Sequence, residues 1–541
     1  MKPVMGKPII GFVLYWKVHI RMEYLEVKGK TMLGNTRGNS RNADLLSIIL
    51  GIYVVLVSIG LPLIVKDKYF DILNVKYYYY CFCTIAMVVA VSICFLMTDG
   101  KLELLRSPRN RVIDCAVLIY YFITIISTIT SDYLYESFWG NEGRYTGLFL
   151  TTWYVTSYFC ISRFWKYKKY YIDLILGAGM LVCLFGITDY FKMDIFRFKI
   201  LMVEEQKSIF TSTLGNINTY TSYVGIIMAI ATTLFVTAQE QKRIILYYLC
   251  MIISFFAIIM GVSDNAYLSL AALFGFLPLY IFSDKRGIQR YLIVLATFFS
   301  IVQVIDWINI HFEDTVLGID SVFNMIVNFG LLPYLLVVLW GLSTLWYVVD
   351  RIAQTGPRVY GNKFRYIWLV LIFIIFFSAL YALYDCNVLK NTGRYGKVGA
   401  YFIFNDEWGS HRGYIWRNTM EQFKEFTLWK KLVGFGPETI GILLMRKTYG
   451  NPYNEIFDSA HNEYLQLLLT VGIAGLVSYV IFILSYIKMC FDQKRDNNFI
   501  IAIVFGVICY SVQAFVNLNL PIVTPILWLL LGLGSARSLE K

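Results

Sequence analysis

Apolar residues along this chain fill long unbroken runs separated by short polar connections, rather than recurring on one face of a helix or strand. A hydrocarbon core of roughly 30 Å takes about 20 helical residues. The runs therefore predict membrane spans near residues 45–65, 77–97, 112–130, 146–164, 170–189, 217–238, 244–260, 264–283, 290–306, 326–348, 366–385, 463–487, 498–512 and 521–537. The pattern is that of an all-α polytopic membrane protein with about fourteen transmembrane helices, within a range of 12–14 because short or paired apolar runs merge and split. It divides the chain into a basic segment 1–44, helices one to eleven over 45–385, a large loop containing helices over 386–462, and the last three helices over 463–541.

Charge orients these spans. The connections at 98–111 (Lys101, Arg106, Arg109, Arg111), 163–169 (Arg163, Lys166, Lys168, Lys169), 284–290 (Lys285, Arg286, Arg290) and 350–365 (Arg351, Arg358, Lys363, Arg365) are basic and alternate with poorer ones. The excess of Lys and Arg in cytoplasmic loops places them inside, and an even number of spans puts both termini there too. The leading segment, with eight Lys or Arg, agrees. Its apolar run from Pro8 to Trp16 is short and is followed by more charge, so a cleaved signal peptide is not expected; Met22 and Met32 are alternative starts. The net charge of +12 is spread over these loops, so no nucleic-acid partner is expected. The ten cysteines lie mostly inside spans and form no metal-binding CxxC pair, which reads as small apolar packing.

The span centres contain almost no Asp, Glu, Lys or Arg, and an ion-coupled transporter normally needs such groups near the midplane. Carboxylates collect instead at the expected outer ends of spans, as Asp189, Asp264, Asp306, Asp385 and Glu463, with Arg144 in the second outer loop. For Asp189, Asp306 and Asp385 the simpler reading is a charge marking where a helix leaves lipid.

The 77-residue loop 386–462 holds His411, His461 and ten basic residues, which suits an anionic ligand as well as a solvated surface. Within it, "HRGYIWRNTMEQFKEF" (His411 to Phe426) predicts an amphipathic helix with Trp416, Met420 and Phe423 on one stripe. Arg412 falls on that stripe, where an arginine needs an anionic partner, whereas Arg417 can pair with Glu421 one turn later. Next, "LVGFGPET" places Gly434 and Gly436 in a turn that allows close backbone approach. In "SAHNEYLQ", Ser459 reads as an N-cap, with His461 in the first turn of the twelfth span. The positive end of the helix dipole disfavours imidazolium there and leaves His461 neutral, able to accept a proton, with free N–H groups nearby for phosphate oxygens. The same face continues through Leu465, Leu468, Gly472 and Gly475. A histidine at a helix start also serves as an ordinary interface residue.

The stretches "RGYIWRNTMEQFKEFTLWKKLVGFGPET" and "AHNEYLQLLLTVGIAGL", preceded by "NEGRYTGLF" (Asn141 to Phe149) and "TSTLGNINTYTSY" (Thr211 to Tyr223), resemble in content and order the signature of the O-antigen ligase and polymerase superfamily, over roughly residues 140 to 490. That resemblance implies a metal-independent, cofactor-free membrane glycosyltransferase. Such an enzyme moves a glycan from a polyprenyl (undecaprenyl) diphosphate carrier to an acceptor hydroxyl, on a glycan or lipid-linked acceptor, at the outer face of the cytoplasmic membrane. It implies His461 as the base that activates the acceptor and Arg412 as the loop arginine on the diphosphate. A second family arginine should fall within "GVSDNAYLSL", where this chain has Asp264; Arg144 of "GRYTG" becomes its replacement candidate. Arg417, Gly434, Gly436, Asn462, Glu463, Tyr464 and Asp264 complete the candidate binding set.

Diphosphate is already a good leaving group, so the chemistry needs positioned positive charge and a base, roles that suit Arg and neutral His. Three alternatives stay open: a flippase or transporter of lipid-linked saccharides, a protein O-oligosaccharyltransferase, and a metal-dependent transferase or hydrolase using His411, His461, Asp406 and Glu407. No HxxxH or DxD spacing accompanies the last.

Overall fold

A computed structural model describes residues 37–97, 111–320, 322–352, 361–492 and 498–536. The leader 1–36 with Met22 and Met32, and the orienting residues Lys101, Arg106, Arg109 and Arg358, lie outside the described residues. The chain is helical almost throughout. The first six membrane helices are α1 (Arg37–Val55, prolonged through Leu61–Leu63), α2 (Ile72–Leu96), α3 (Arg111–Ile129), α4 (Leu148–Phe164), α5 (Tyr170–Tyr190) and α6 (Ile217–Thr237). Next come α7 (Gln241–Ile259), α8 (Ala266–Ile281), α9 (Lys285–His311), α10 (Leu332–Ile352) and α11 (Lys363–Asn387). The polar segment contributes α12 (Trp408–Glu425), α13 (Leu428–Val433) and α14 (Ile440–Lys447), and the chain closes with α15 (Glu463–Thr470), α16 (Gly472–Asp492), α17 (Asn498–Gln513) and α18 (Thr524–Gly534).

Among the described residues, 11 helices are long and apolar enough to cross a bilayer, which makes this a multi-pass membrane protein. The three remaining expected spans coincide with shorter helices: α4 has 17 residues, α8 has 16 and α18 has 11. Helix α6 is the hub: its most apolar window is entirely buried, and it packs on α7 and α17. By contrast, α10 and α11 bury little of theirs and lie at the periphery.

The expected continuous span over 463–487 is two helices. Val471 leaves the helical region and Gly472 adopts φ +70°, so a single residue separates α15 from α16. The carbonyls at a helix end need partners. Here Leu469 O accepts from Phe435 N at 2.9 Å, while Thr470 O accepts from Gly436 N at 3.0 Å and from Ser127 Oγ at 2.6 Å. The "GFG" turn of the polar segment is thereby laced to the break, and a Cβ on Gly434 or Gly472 would collide with the facing backbone. The close backbone approach expected of Gly434 and Gly436 is an approach to the chain's own helix break.

The segment after α11 builds a small core of its own. Ile415, Phe426, Ile440, Leu443, Leu444, Phe457 and Ala460 pack with Leu469 of α15, and this seats α12 and α14 on the bundle. The regular part of α12 starts at Arg412, because Gly409, Ser410 and His411 all have positive φ. Its buried stripe contains Ile415 and Thr419 rather than Met420, which is exposed.

Candidate functional site

Four stretches far apart in sequence meet where α12, α15 and the connection before α4 converge. The first contact is Arg144 on Asp458: Nη2 donates to Oδ1 at 2.7 Å and Nε to Oδ2 at 3.3 Å. Beside it, Asn141 Nδ2 donates to the Glu438 carbonyl at 2.9 Å, and the buried Glu438 carboxylate accepts from Thr146 N at 3.3 Å and from the Thr146 hydroxyl. Burial pushes the Glu438 carboxyl up from its usual range, opposed by the Thr146 hydrogen bonds and by Arg144.

His461 lies within reach of the charge of both Arg144 and Arg412. It precedes α15 with φ +46°, and the N-cap of α15 is Asn462, whose Oδ1 accepts from Tyr464 N at 3.0 Å and Leu465 N at 3.1 Å. Two expectations are therefore corrected. Ser459 does not cap the helix; its hydroxyl is buried without a hydrogen-bond partner among the described residues. His461 lies outside the first turn, so the face drawn from it through Gly475 is interrupted by the turned backbone at 461 and the break at 471. The imidazole is nevertheless held neutral, for a different reason. Burial first, then the guanidinium groups of Arg412 and Arg144, press it down to about 4, with Asp458 opposing them.

Arg412 opens the regular part of α12. Its guanidinium makes no hydrogen bond or ion pair among the described residues, and burial lowers its pKa, while the charge of Asp264 works in the opposite direction. Asp264 stands exposed in the short turn between α7 and α8. The neighbours of Asp264 are tied to the hairpin motif: Ser263 Oγ and Asn265 Nδ2 both donate to Asn218 Oδ1, at 2.6 and 3.0 Å. Asn218 follows the strands Phe210–Thr211 and Gly215–Asn216, and it thus fixes the turn that presents Asp264 to Arg412.

The other expected residues have different placements. Arg417 pairs with Asp406 at 2.7 Å and lies over the Tyr414 ring, while the expected partner Glu421 faces Lys447 at 3.9 Å. Arg417 is thus paired with Asp406 in place of the expected Glu421. Glu463 is buried and accepts from Tyr479 OH at 2.9 Å and Tyr510 OH at 3.1 Å; Tyr464 OH donates to Ser511 O at 2.7 Å. With Asn462 as cap, these three side chains are committed to the fold beneath His461. Asp189 anchors the hairpin through Ser212 N at 2.6 Å, and Asp385 accepts from Asn391 Nδ2 and Tyr395 OH, which are structural uses of both.

Sequence reasoning passed over Asp458 and Glu438. Glu438 sits inside a quoted motif and Asp458 immediately before one, but their partners lie about three hundred residues away, beyond the reach of any local spacing rule. His411 stacks on Tyr453 at 4.0 Å and contacts Glu455, and Asp406 is taken by Arg417; among the described residues no group of three or more His, Cys, Asp or Glu is arranged to hold a metal ion. No protein-family model matches the chain, and no curated protein matches it either.

Proposed function

We propose that this protein is a glycosyltransferase of the O-antigen ligase or polymerase type, a cofactor-free enzyme that uses a polyprenyl diphosphate-linked glycan as donor. In this reading α4, α8 and α18 complete fourteen spans, both termini are cytoplasmic, and the site opens on the outer face of the cytoplasmic membrane. The observation that carries it is a half-buried Arg412 guanidinium without a hydrogen bond or ion pair, and with it a neutral His461 that makes no hydrogen bond, both among the described residues.

Arg412 binds the diphosphate through its planar fork and stabilises the charge that develops as the anomeric C–O bond to phosphate breaks. His461 takes the proton of the acceptor hydroxyl as its oxygen bonds to the anomeric carbon. An imidazole near 4 is neutral at physiological pH but a weak base. A bound diphosphate offsets the guanidinium charges that lower it, so donor binding raises its basicity. Arg144 reaches the diphosphate only by sharing or releasing Asp458. An apolar groove of about 580 Å³ between α3 and α16, lined by Ile119, Ile123, Ile473, Val477 and Ile481, starts next to the α15–α16 break and suits a polyprenyl chain. The reading is tested with purified protein, a polyprenyl diphosphate glycan and an acceptor glycan: product that needs both Arg412 and His461 supports it, and its absence under conditions that preserve folding rejects it.

A further inference from the structure

A second polar site lies beneath the first. The cavity lined by α3, α4, the Glu438 turn, α15, α16, α18 and the connection before α18 has a volume of about 40 Å³, enough for a small ion with one or two waters. Two carboxylates line it, Glu438 and Glu463, each 2% exposed, and no Lys, Arg or His does. Their partners are all neutral donors: two tyrosine hydroxyls on Glu463, and an N–H and a hydroxyl of Thr146 on Glu438. The guanidinium nearest Glu438 is that of Arg144, which is engaged with Asp458.

Three further polar atoms on the lining make no hydrogen bond among the described residues: Gln466 Oε1, Asn519 Oδ1 and the Tyr154 hydroxyl. Gln466 is 7% exposed and Tyr154 3%. Buried polar atoms of this kind normally have partners, and amide oxygens can only accept. A lining of carboxylate, amide and hydroxyl oxygens without a cationic side chain is the donor set of a hard cation. With two carboxylates rather than three or four, and amide oxygens making up the rest, it fits a monovalent ion better than Ca²⁺ or Mg²⁺.

We propose that this cavity binds a sodium ion through Glu438, Glu463, Gln466 and Asn519, and that the ion ties the Glu438 turn to α15 directly below His461. The proposal is independent of the transferase reading. It is tested on the purified full-length protein in detergent, by thermal unfolding in choline chloride and in NaCl at one fixed ionic strength, with KCl and CaCl₂ as further arms. Sodium should raise the midpoint saturably, by about 1–3 °C for a chain this long, and potassium less. Glu463→Gln and Asn519→Leu should each abolish the sodium-dependent part; if Glu463→Gln does not fold, Asn519→Leu alone decides. Equal midpoints in sodium and choline, a sodium shift that survives in Asn519→Leu, or a larger shift in micromolar calcium would overturn it.

Discussion

Arg144 grips both carboxylate oxygens of Asp458, at 2.7 and 3.3 Å, and so clamps the connection before α4 to the irregular segment that delivers His461 three residues later. The clamp and a role on the diphosphate compete for one guanidinium, which gives two substitutions opposite signs. Arg144→Ala should raise the KM for the donor, whereas Asp458→Asn frees the fork and should leave donor affinity intact or tighter. Donor titrations on the two proteins check this; equal weakening in both would make the pair purely structural. Arg144→Lys keeps the charge but loses two-point geometry, so it should fall on the impaired side.

The two arginines of α12 should separate sharply. Loss of one charge-stabilising donor at a transition state costs about 10²- to 10³-fold in rate, which is the expectation for Arg412→Ala. Arg417 forms an exposed pair with Asp406, of a kind worth roughly 0–1 kcal/mol, so Arg417→Ala should keep near-normal turnover. Initial rates at matched protein levels decide, and similar defects in both would remove Arg412 from the reaction.

The low pKa of His461 gives two pH signatures. The folded imidazole stays neutral down to about 4, whereas in the unfolded chain it titrates near about 6.5. Between those values the unfolded state binds more protons, so this group's contribution to stability is intact above the unfolded value and is lost as pH falls toward the folded one. In free enzyme kcat/KM should likewise hold its plateau below pH 6 and drop only near about 4. An acid limb centred near the free histidine value would contradict the burial of this ring within reach of two arginine charges.

Turnover should persist in excess chelator, because the roles assigned to Arg412 and His461 supply charge and proton transfer without a divalent ion. Chelator does not sequester sodium, so the second site leaves this expectation unchanged. Activity lost in chelator and restored only by a divalent metal would revive a metal-dependent mechanism.

Much of this architecture was legible in the sequence, for a definite reason. An apolar run near 20 residues has one stable fate in lipid, so each predicted span overlaps a helix, and Arg412 stood out as a charge on an apolar stripe. The break after Thr470 was hidden within such a run, because it depends on Phe435 and Gly436 arriving from another segment to take the exposed carbonyls. Ser459 and Asn462 are both good caps by residue type, and only the turned backbone at His461 selects Asn462. Asp458 and Glu438 became visible once their partners Arg144 and Thr146 were brought to them across the fold.

The central claim is that His461 is the base and not a joint in the backbone, and the measurement that addresses it most directly is glycan transfer per folded molecule by His461→Ala, with donor binding recorded on the same sample. The control is Asn462→Ala, which removes the true cap of α15 and should cost about 0.5–2 kcal/mol of stability while sparing turnover in the protein that folds. Loss of a general base should instead slow transfer by about 10²- to 10⁴-fold, with donor still bound and accumulating uncleaved. Near-normal transfer by His461→Ala would contradict the account.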